Sequence, residues 1–323
     1  MIQQACTQNW PAYNQAQQAE KGLFMELLAD LCSEIEEPVQ EMGRPRNKLK
    51  DMVYCAAFKV YSMYSGRRFT SDMKQAQEQG HIRKAPHYNS VFNYLEDRKL
   101  TPILNDLIVK SSLPLSSVEV DFAVDSSGFT TSCYKQWSQY RIHGDHNYHD
   151  WVKAHLMCGV KTHIVAAVRL TEGKANDSPE FIHLVNKTAK NFCIQEVSAD
   201  KAYSSRENLK CVDNMGAVPY IPFKKIATGK PSGYPIWRKM HNYFLLNSDE
   251  FYQHYHKRSN VESTFYMIKS KFGSSLKSKT KTAQYNEVLC KILCHNICVV
   301  IQEMHEMGVP QQVSGIWASP NVA

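Results

Sequence analysis

The hydrophobic pattern of this chain changes its period at Pro114, and this change constrains the fold more than any other feature of the sequence. Before Pro114, apolar residues recur at intervals of three and four, which indicates helices. After it, they alternate with other residues, which indicates strands. We therefore predict a helical N-terminal domain over residues 1–112, a second domain over 113–305 and a C-terminal tail over 306–323. The predicted N-terminal helices cover residues 23–35, 47–64, 70–79 and 88–98.

Strands and helices are mixed in the second part of the chain. The strand over 118–124 ends on Asp125, and the strand over 194–199 ends on Asp200. Three adjacent strands followed by alternating helices and strands resemble the order of a ribonuclease H-like fold. The predicted fold class is therefore α/β, with a mixed sheet flanked by helices and preceded by the smaller all-α domain. The other predicted elements are strands over 152–160, 164–170 and 217–223 and helices over 179–192, 255–272 and 282–304.

The positive charge of the chain is concentrated in one segment. The whole chain has a formal net charge of +7, whereas residues 201–281 alone carry +10 and residues 1–42 carry −6. Aromatic residues are interleaved with the lysines and arginines of the basic segment, an arrangement that suits a polyanion with stackable bases. A solvated basic surface without a ligand has the same composition. Charge alone therefore leaves both interpretations open.

No segment of the sequence predicts a membrane span or an exported protein. The most apolar stretch, residues 288–301, is interrupted by Lys291, His295 and Asn296, and the N-terminus lacks the basic start and apolar run of a signal peptide. The ten cysteines include no Cys-x-x-Cys pair, so we expect reduced thiols rather than disulfides or a zinc knuckle. The sequence thus predicts a cytoplasmic protein with no membrane partner.

Two groups of cysteine and histidine residues are possible metal sites. Cys290, Cys294 and Cys298 recur every four residues, but on a helix that spacing forms one stripe, and burial is the commoner role of such a stripe. Four histidines between residues 143 and 155 form the densest histidine cluster of the chain, yet their spacing matches no zinc-site template. We expect a core stripe in the first case and a polar loop in the second.

Three acidic residues form the principal candidate for a catalytic site. Asp125 and Asp200 follow strands, and the ends of neighbouring strands in an α/β sheet lie side by side. Glu262 lies on a later helix. Each also has a purely structural interpretation, because the aspartates suit turns and Glu262 has the spacing of a capping box with Ser259. Asp121 is a rival for Asp125, since the strand register decides which face its side chain takes.

Glu262 belongs to a stripe of five residues along its helix. The members are three or four positions apart, so they share one helical face. A mostly polar stripe is unusual for a face packed into a core, and it suits a cleft that holds metal ions and phosphate. The stripe consists of Tyr255, Arg258, Glu262, Phe265 and Lys269.

Four short motifs follow one another along the second part of the chain. They are Asp125-Ser126-Ser127-Gly128-Phe129, Trp151-x-Lys153-x-His155, Ala199-Asp200-Lys201-Ala202-Tyr203 and Tyr255-x2-Arg258-x3-Glu262-x6-Lys269. In this order they resemble the DNA transposases of bacterial and archaeal insertion sequences that have an Asp-Asp-Glu site, and the last motif matches that family's Tyr-Arg-Glu-Lys signature at full spacing. The resemblance covers residues 118–300, and residues 43–73 look like the helical leader of some members.

The resemblance implies a metal-dependent enzyme that acts on DNA. Asp125, Asp200 and Glu262 would be its catalytic residues and would hold two Mg²⁺ ions, for which Mn²⁺ can substitute. One site would cleave at the terminal inverted repeats and then join the freed 3′-OH to target DNA, in a homodimer or higher oligomer on DNA. The alternatives are a related nuclease that does not join strands and an inactive DNA-binding relic. The residues implied in DNA binding are Tyr255, Arg258, Lys269, Lys153, His155 and Lys201.

Overall fold

The N-terminal part of the chain is entirely helical in its computed structural model, which describes residues 9–40, 42–43, 45–131, 151–307 and 316–317. The first helix begins much earlier than predicted, because the Asn9 side chain accepts a hydrogen bond from the backbone N–H of Ala12 and Pro11 lies in its first turn. The fifth helix was not predicted. The helices are α1 (Trp10–Ser33), α2 (Leu49–Ser62), α3 (Gly66–Glu78), α4 (Tyr88–Leu95) and α5 (Leu100–Ser112).

The second part contains a mixed sheet with the first strand at its centre, the second and third strands on one side of it and the fourth and fifth on the other. The second strand is antiparallel to the first and third, whereas the fourth and fifth are parallel to the first. The short sixth strand pairs with the far end of the first. The strands are β1 (Asp121–Thr131), β2 (Trp151–Gly159), β3 (Val165–Glu172), β4 (Glu196–Ala199), β5 (Val218–Tyr220) and β6 (Ser275–Leu276).

Helices cover both faces of this sheet, which confirms the predicted α/β class with a preceding helical region and is consistent with the ribonuclease H-like order of elements. One face packs against the helices that follow β3, and the other packs against the last two helices together with α1 to α5. The remaining helices are α6 (Ser178–Thr188), α7 (Arg206–Asp213), α8 (Pro235–Leu246), α9 (Ser248–Tyr255), α10 (Ser259–Phe272) and α11 (Lys281–Glu306), with single 3-10 turns at Leu113–Leu115, Lys201–Tyr203 and His256–Arg258.

Helix α11 is the central element of the hydrophobic core that lies between the N-terminal helices and the sheet. It packs against α1, α2 and α5, and Cys290 and Cys294 are buried in it, as expected for a core stripe. By length and composition alone, α11 could also cross a membrane, but 78% of its most apolar window is buried within the protein. A core helix passes the same length and composition test, so this burial explains why α11 is apolar.

The predicted boundary at residues 112 and 113 does not separate two hydrophobic cores. Two buried asparagines of α11 link the N-terminal helices to the second part of the chain. Asn296 donates to Ile108 O and to Val165 O, and Asn286 donates to Leu95 O and accepts from the Thr101 hydroxyl. The α-helical region and one face of the sheet therefore form one packed unit.

Three local predictions were wrong. Strand β1 does not end at Asp125 but continues to Thr131, because β2 pairs with it along this whole length. The spacing Ser204-x-x-Glu207 predicts a capping box at the start of α7, but the capping residue is Ser205, since its hydroxyl accepts from the backbone N–H of Asn208. Residues 235–255, which carried no predicted helix before position 255, form α8 and α9. The predicted polar loop with His143, His146 and His149 and most of the C-terminal tail lie outside the described residues.

Candidate active site

Strands β1 and β4 bring Asp125 and Asp200 together. Their parallel pairing ends with Val124 opposite Ala199, so the next residue on each strand is one of the two aspartates. On its other side, β1 remains paired with β2, with Asp125 opposite Leu156. Asp125 therefore lies within a continuous strand, at the place where its parallel neighbour ends and opens one edge.

A backbone N–H group holds one oxygen of each aspartate. Asp125 Oδ1 accepts from the N–H of Ser126 at 2.8 Å. Asp200 Oδ1 accepts from the N–H of Lys201 at 2.6 Å and so caps the 3-10 turn at Lys201–Tyr203. The local backbone thus fixes the orientation of both carboxylates and leaves an oxygen of each available to other partners.

Arg258 joins the third acidic residue to this pair. Its Nη1 donates to Asp125 Oδ2 at 2.8 Å, and its Nη2 donates to Glu262 Oε1 at 2.5 Å. The side chains of Arg258 and Asp125 are 20% and 23% exposed, whereas that of Glu262 is 57% exposed. The guanidinium group therefore bridges a half-buried carboxylate and one that reaches the solvent.

The electrostatic environment of Asp125 shows that the three carboxylates share one region. Burial raises the pKa of Asp125 above its ordinary value, and the negative charges of Asp200 and Glu262 raise it further. The Ser126 N–H and Arg258 act in the opposite direction. The charged form of Asp125 is thus stabilised by the Ser126 N–H and by Arg258 against the effect of burial.

The residue stripe predicted on the helix faces strand β1. Arg258 contacts Asp125, and the Lys269 ammonium group donates to the Ser127 hydroxyl at 2.6 Å and lies 5.3 Å from the centre of the Phe129 ring. These β1 residues alternate along the strand and so share one face. The stripe therefore runs alongside the open edge next to Asp125.

The aromatic members of the stripe lie next to its cations. The Arg258 guanidinium lies 5.9 Å from the centre of the Tyr255 ring. The Lys269 ammonium group lies 5.8 Å from the centre of the Phe265 ring, and burial lowers the pKa of Lys269. Both cations thus combine a polar partner with an aromatic one.

The capping box predicted for Ser259 and Glu262 is absent from this part of the structure. Helix α9, the 3-10 turn and α10 follow one another without a break, and the Ser259 hydroxyl donates to His256 O instead of accepting from a helix N–H. A helix that continues an earlier one has no free N-terminus to cap. Glu262 is thus not required as a capping residue.

Lys153 and His155 do not contact the acidic triad directly. Both lie next to Asp177, with Lys153 Nζ at 2.5 Å and His155 Nδ1 at 3.5 Å from its Oδ1. His155 is fully buried and hydrogen-bonded to Thr171, and burial lowers its pKa. A fully buried imidazole cannot reach a DNA phosphate, so a direct DNA contact of His155 does not agree with this structure.

Sequence reasoning missed Asp177. Besides Lys153 and His155, it accepts a hydrogen bond from the hydroxyl of Ser126, the residue next to Asp125. Its position just before Ser178 and Pro179 is typical of a helix start, so its sequence context suggested only a structural role. The order of residues gave no indication that it lies beside the site.

The last two candidates of the sequence are placed differently. Lys201 is exposed next to Asp200, where a DNA backbone could reach it. Asp121, the rival of Asp125, is hydrogen-bonded to Lys257 Nζ at 2.7 Å, and Glu196 binds the same ammonium group. Asp121 thus belongs to a separate ion-pair cluster.

The donor set of the triad fits a hard divalent cation, because it consists of carboxylate oxygens alone. Within the described residues, however, no group of three His, Cys, Asp or Glu side chains is close enough to hold a metal ion, and Arg258 binds two of the three carboxylates. The Glu262 side chain is more than half exposed. The three carboxylates therefore have the ligand chemistry of a divalent metal site, and in this structure the Arg258 guanidinium is the cation that binds two of them.

Comparison with known proteins identifies the family to which this chain belongs. Residues 116–297 match the family described as the transposase DDE domain. The match includes Asp125, Asp200 and Glu262, and it covers more than half of the chain. No solved structure matches it.

Proposed function

We propose that this chain, which belongs to the transposase DDE domain family, is an insertion-sequence transposase that cleaves the ends of its element and transfers the resulting 3′-OH to target DNA. The observation that carries this proposal is the arrangement around Arg258. One cation bridges Asp125 and Glu262, and Asp200 follows the strand next to Asp125. Family membership supports a DNA-acting enzyme, and the arrangement supports its chemistry.

Asp125, Asp200 and Glu262 are the residues that would hold divalent cations, two Mg²⁺ or Mn²⁺ ions in our proposal. Bound there, such ions would supply a nucleophile at neutral pH and stabilise the charge on the attacking and leaving oxygens. The backbone N–H groups of Ser126 and Lys201 keep the two aspartates oriented for this role.

Arg258 and Lys269 are the residues that would bind the DNA backbone. A guanidinium group matches two phosphate oxygens, whereas an ammonium group acts as a point charge. Because Arg258 is bonded to two carboxylates without DNA, we propose that a phosphate takes over its guanidinium and frees Asp125 and Glu262. Tyr255, beside Arg258, would contact a phosphate or a base, and the exposed Lys201 would contact the backbone.

Lys153 and His155 act through Asp177 in this proposal. Their contacts fix the Asp177 carboxylate, which in turn accepts from the Ser126 hydroxyl next to Asp125. They are therefore positioning residues for β1 rather than direct DNA contacts. This role replaces the DNA contact that the resemblance implied for His155.

The proposed reaction has two steps at one site. Water first attacks the phosphorus at an element end, the bond to the 3′ oxygen breaks, and a 3′-OH is released. This 3′-OH then attacks a target phosphorus, and a new 3′ oxygen leaves. We propose a homodimer or higher oligomer on DNA, because two ends must be processed together. We place this assembly in the cytoplasm, without a membrane partner.

An assay with labelled element ends and a target plasmid tests the proposal. We expect released ends and joined products with Mg²⁺, and neither product from Asp125→Asn. Cleavage without joining would identify a nuclease, and DNA binding without cleavage by the wild-type chain would identify an inactive relic. Either result would overturn the proposed transposition activity.

A further inference from the structure

A cavity of about 500 Å³ lies between the N-terminal helices and the second part of the chain, away from the acidic triad. The end of α2, the start of α3, helix α4 and the first turns of α11 line it. Its size is in the range of small-molecule sites. We call it the lysine cavity, because its lining includes Lys59, Lys277, Lys279 and Lys291.

Lys59 is a buried cation without an anionic partner. It is only 8% exposed, yet its ammonium group forms no hydrogen bond or ion pair with any described residue. The ammonium group lies 6.0 Å from the centre of the Phe69 ring, and the charges of Glu287 and Lys277 act on it in opposite directions. A buried charge of this kind is costly unless a partner binds it. Lys59 therefore has an open position for an anion.

Three of the other charged groups of the cavity already have partners. Lys291 donates to Gly273 O and Ser275 O at 2.8 and 2.9 Å, and Lys277 donates to Met63 O. The Glu287 carboxylate accepts from the backbone N–H groups that follow Leu276, and Glu96 is exposed at the rim. Four lysines face two carboxylates, so the cavity has an excess of positive charge.

The start of α3 adds backbone donors to this cavity. Its capping residue Ser65 makes no side-chain cap, and both Ser65 and Gly66 line the cavity. Uncapped N–H groups at a helix N-terminus favour an anion. Together with the unpartnered Lys59, they indicate a phosphate position.

An aromatic wall lies next to this position. Phe92 is 39% exposed and packs so closely on Gly66 that a Cβ there would lie 2.8 Å from its ring. Tyr64 is half exposed on the same cavity. Such rings are stacking surfaces for a nucleobase.

We propose that the lysine cavity binds a nucleotide unit, with its phosphate at Lys59 and the start of α3 and its base against Phe92. The same chemistry is offered by a free mononucleotide and by an unpaired nucleotide of a DNA strand. The Phe129 ring favours the strand, because Lys269 of the candidate active site and Lys291 of the cavity approach it at 5.3 and 5.6 Å from its centre. The cavity thus adjoins the proposed path of DNA.

Calorimetric titration of the full chain with thymidine 5′-monophosphate, thymidine and inorganic phosphate tests this proposal. We expect the monophosphate to bind more tightly than either part alone. Lys59→Met should lower the affinity for the monophosphate about tenfold or more, since a charge-assisted contact is lost. Phe92→Ala should lower the affinity for the monophosphate but not the affinity for inorganic phosphate. Lys74→Met, which removes an exposed lysine from another face of α3, is the matched control and should change nothing.

A second titration identifies the source of the nucleotide. A duplex with one unpaired terminal nucleotide should bind more tightly than a blunt duplex, and Lys59→Met should remove the difference. Equal binding of the two duplexes, with tight binding of the monophosphate, would assign the cavity to free nucleotides. The proposal would be overturned if the wild-type protein did not bind the monophosphate. It would also be overturned if folded Lys59→Met protein bound the monophosphate as tightly as the wild type. Asp125→Asn should still bind the monophosphate, so this outcome is separate from the proposed catalysis.

Discussion

Arg258 determines the charge balance around the acidic triad. The negative charges of Asp200 and Glu262 raise the pKa of Asp125, and the Arg258 guanidinium offsets this effect. Its side chain is 20% exposed, so a DNA phosphate can reach it from the solvent. The Arg258 side chain can therefore bind the carboxylates before DNA binds and a DNA phosphate afterwards.

Glu262→Gln separates a catalytic role from a structural one. The carboxylate is 57% exposed and its i,i+4 ion pair is worth only about 0.3–0.5 kcal/mol, so we expect a nearly unchanged melting temperature. The substitution removes a proposed metal ligand, so DNA cleavage should be lost. Glu172→Gln, which removes another exposed ion pair, is the control and should retain cleavage. Substantial cleavage by folded Glu262→Gln protein would exclude Glu262 from the site.

Lys59→Met should stabilise the protein in a pH-dependent way. Burial lowers the pKa of Lys59 from 10.5 to about 8, so its charged form destabilises the folded state. This cost is fully present below pH 8 and disappears as the pH rises towards 10.5. Urea unfolding should show a gain of at most about 3 kcal/mol at pH 7, at about 1.4 kcal/mol per pKa unit, and almost none at pH 10.5. An equal gain at both pH values would show that the charge of Lys59 is not its cause.

At the scale of elements, α9, the 3-10 turn and α10 work as one continuous rod along β1. Because the rod begins at Ser248 and ends at Phe272, the stripe from Tyr255 to Lys269 keeps its helical spacing across the turn. The sequence predicted this stripe correctly, since side-chain periodicity is a local property. It could not predict that β1 continues past Asp125, because the pairing with β2 that extends it is a long-range property.

The stripe should determine the salt dependence of DNA binding. Each phosphate contact releases counterions, so Arg258→Ala and Lys269→Ala should each flatten the slope of log K against log salt by about one unit. Gel shifts across a series of salt concentrations, in calcium buffer without cleavage, measure this slope. Lys190→Ala, at an exposed lysine beyond α6, should leave the slope unchanged. Slopes that are equal in all variants would contradict the proposed phosphate contacts.

At the scale of the whole molecule, the N-terminal helices and the sheet share one core. The sequence predicted the helical region and the fold class from periodicity and order of motifs, whereas the catalytic role of the three acidic residues stays a prediction. The sequence did not predict that the two parts share a core. Asn286 and Asn296 lie on an apolar helix, and nothing in their sequence context indicates partners some 130 to 190 positions away. Asp177 was missed for the same reason.

Removal of residues 1–112 should therefore prevent stable folding of the remainder. The truncation exposes the face of α11 that packs on α1, α2 and α5. It also removes the Leu95 and Thr101 partners of Asn286 and the bond from Asn296 to Ile108. We expect no cooperative thermal transition for the fragment and a sharp one for the full chain. A fragment that unfolds cooperatively would show that the predicted boundary is a true domain boundary.

The central claim is that Asp125, Asp200 and Glu262 form one metal site. Replacing the divalent ion by Fe²⁺ and adding peroxide and ascorbate generates hydroxyl radicals that cut the protein chain near the bound ion. With DNA bound, we expect cuts close to all three positions, and Asp125→Asn should abolish the three together while DNA binding is retained. Cuts near only one of the positions, or cuts unaffected by Asp125→Asn, would contradict the claim.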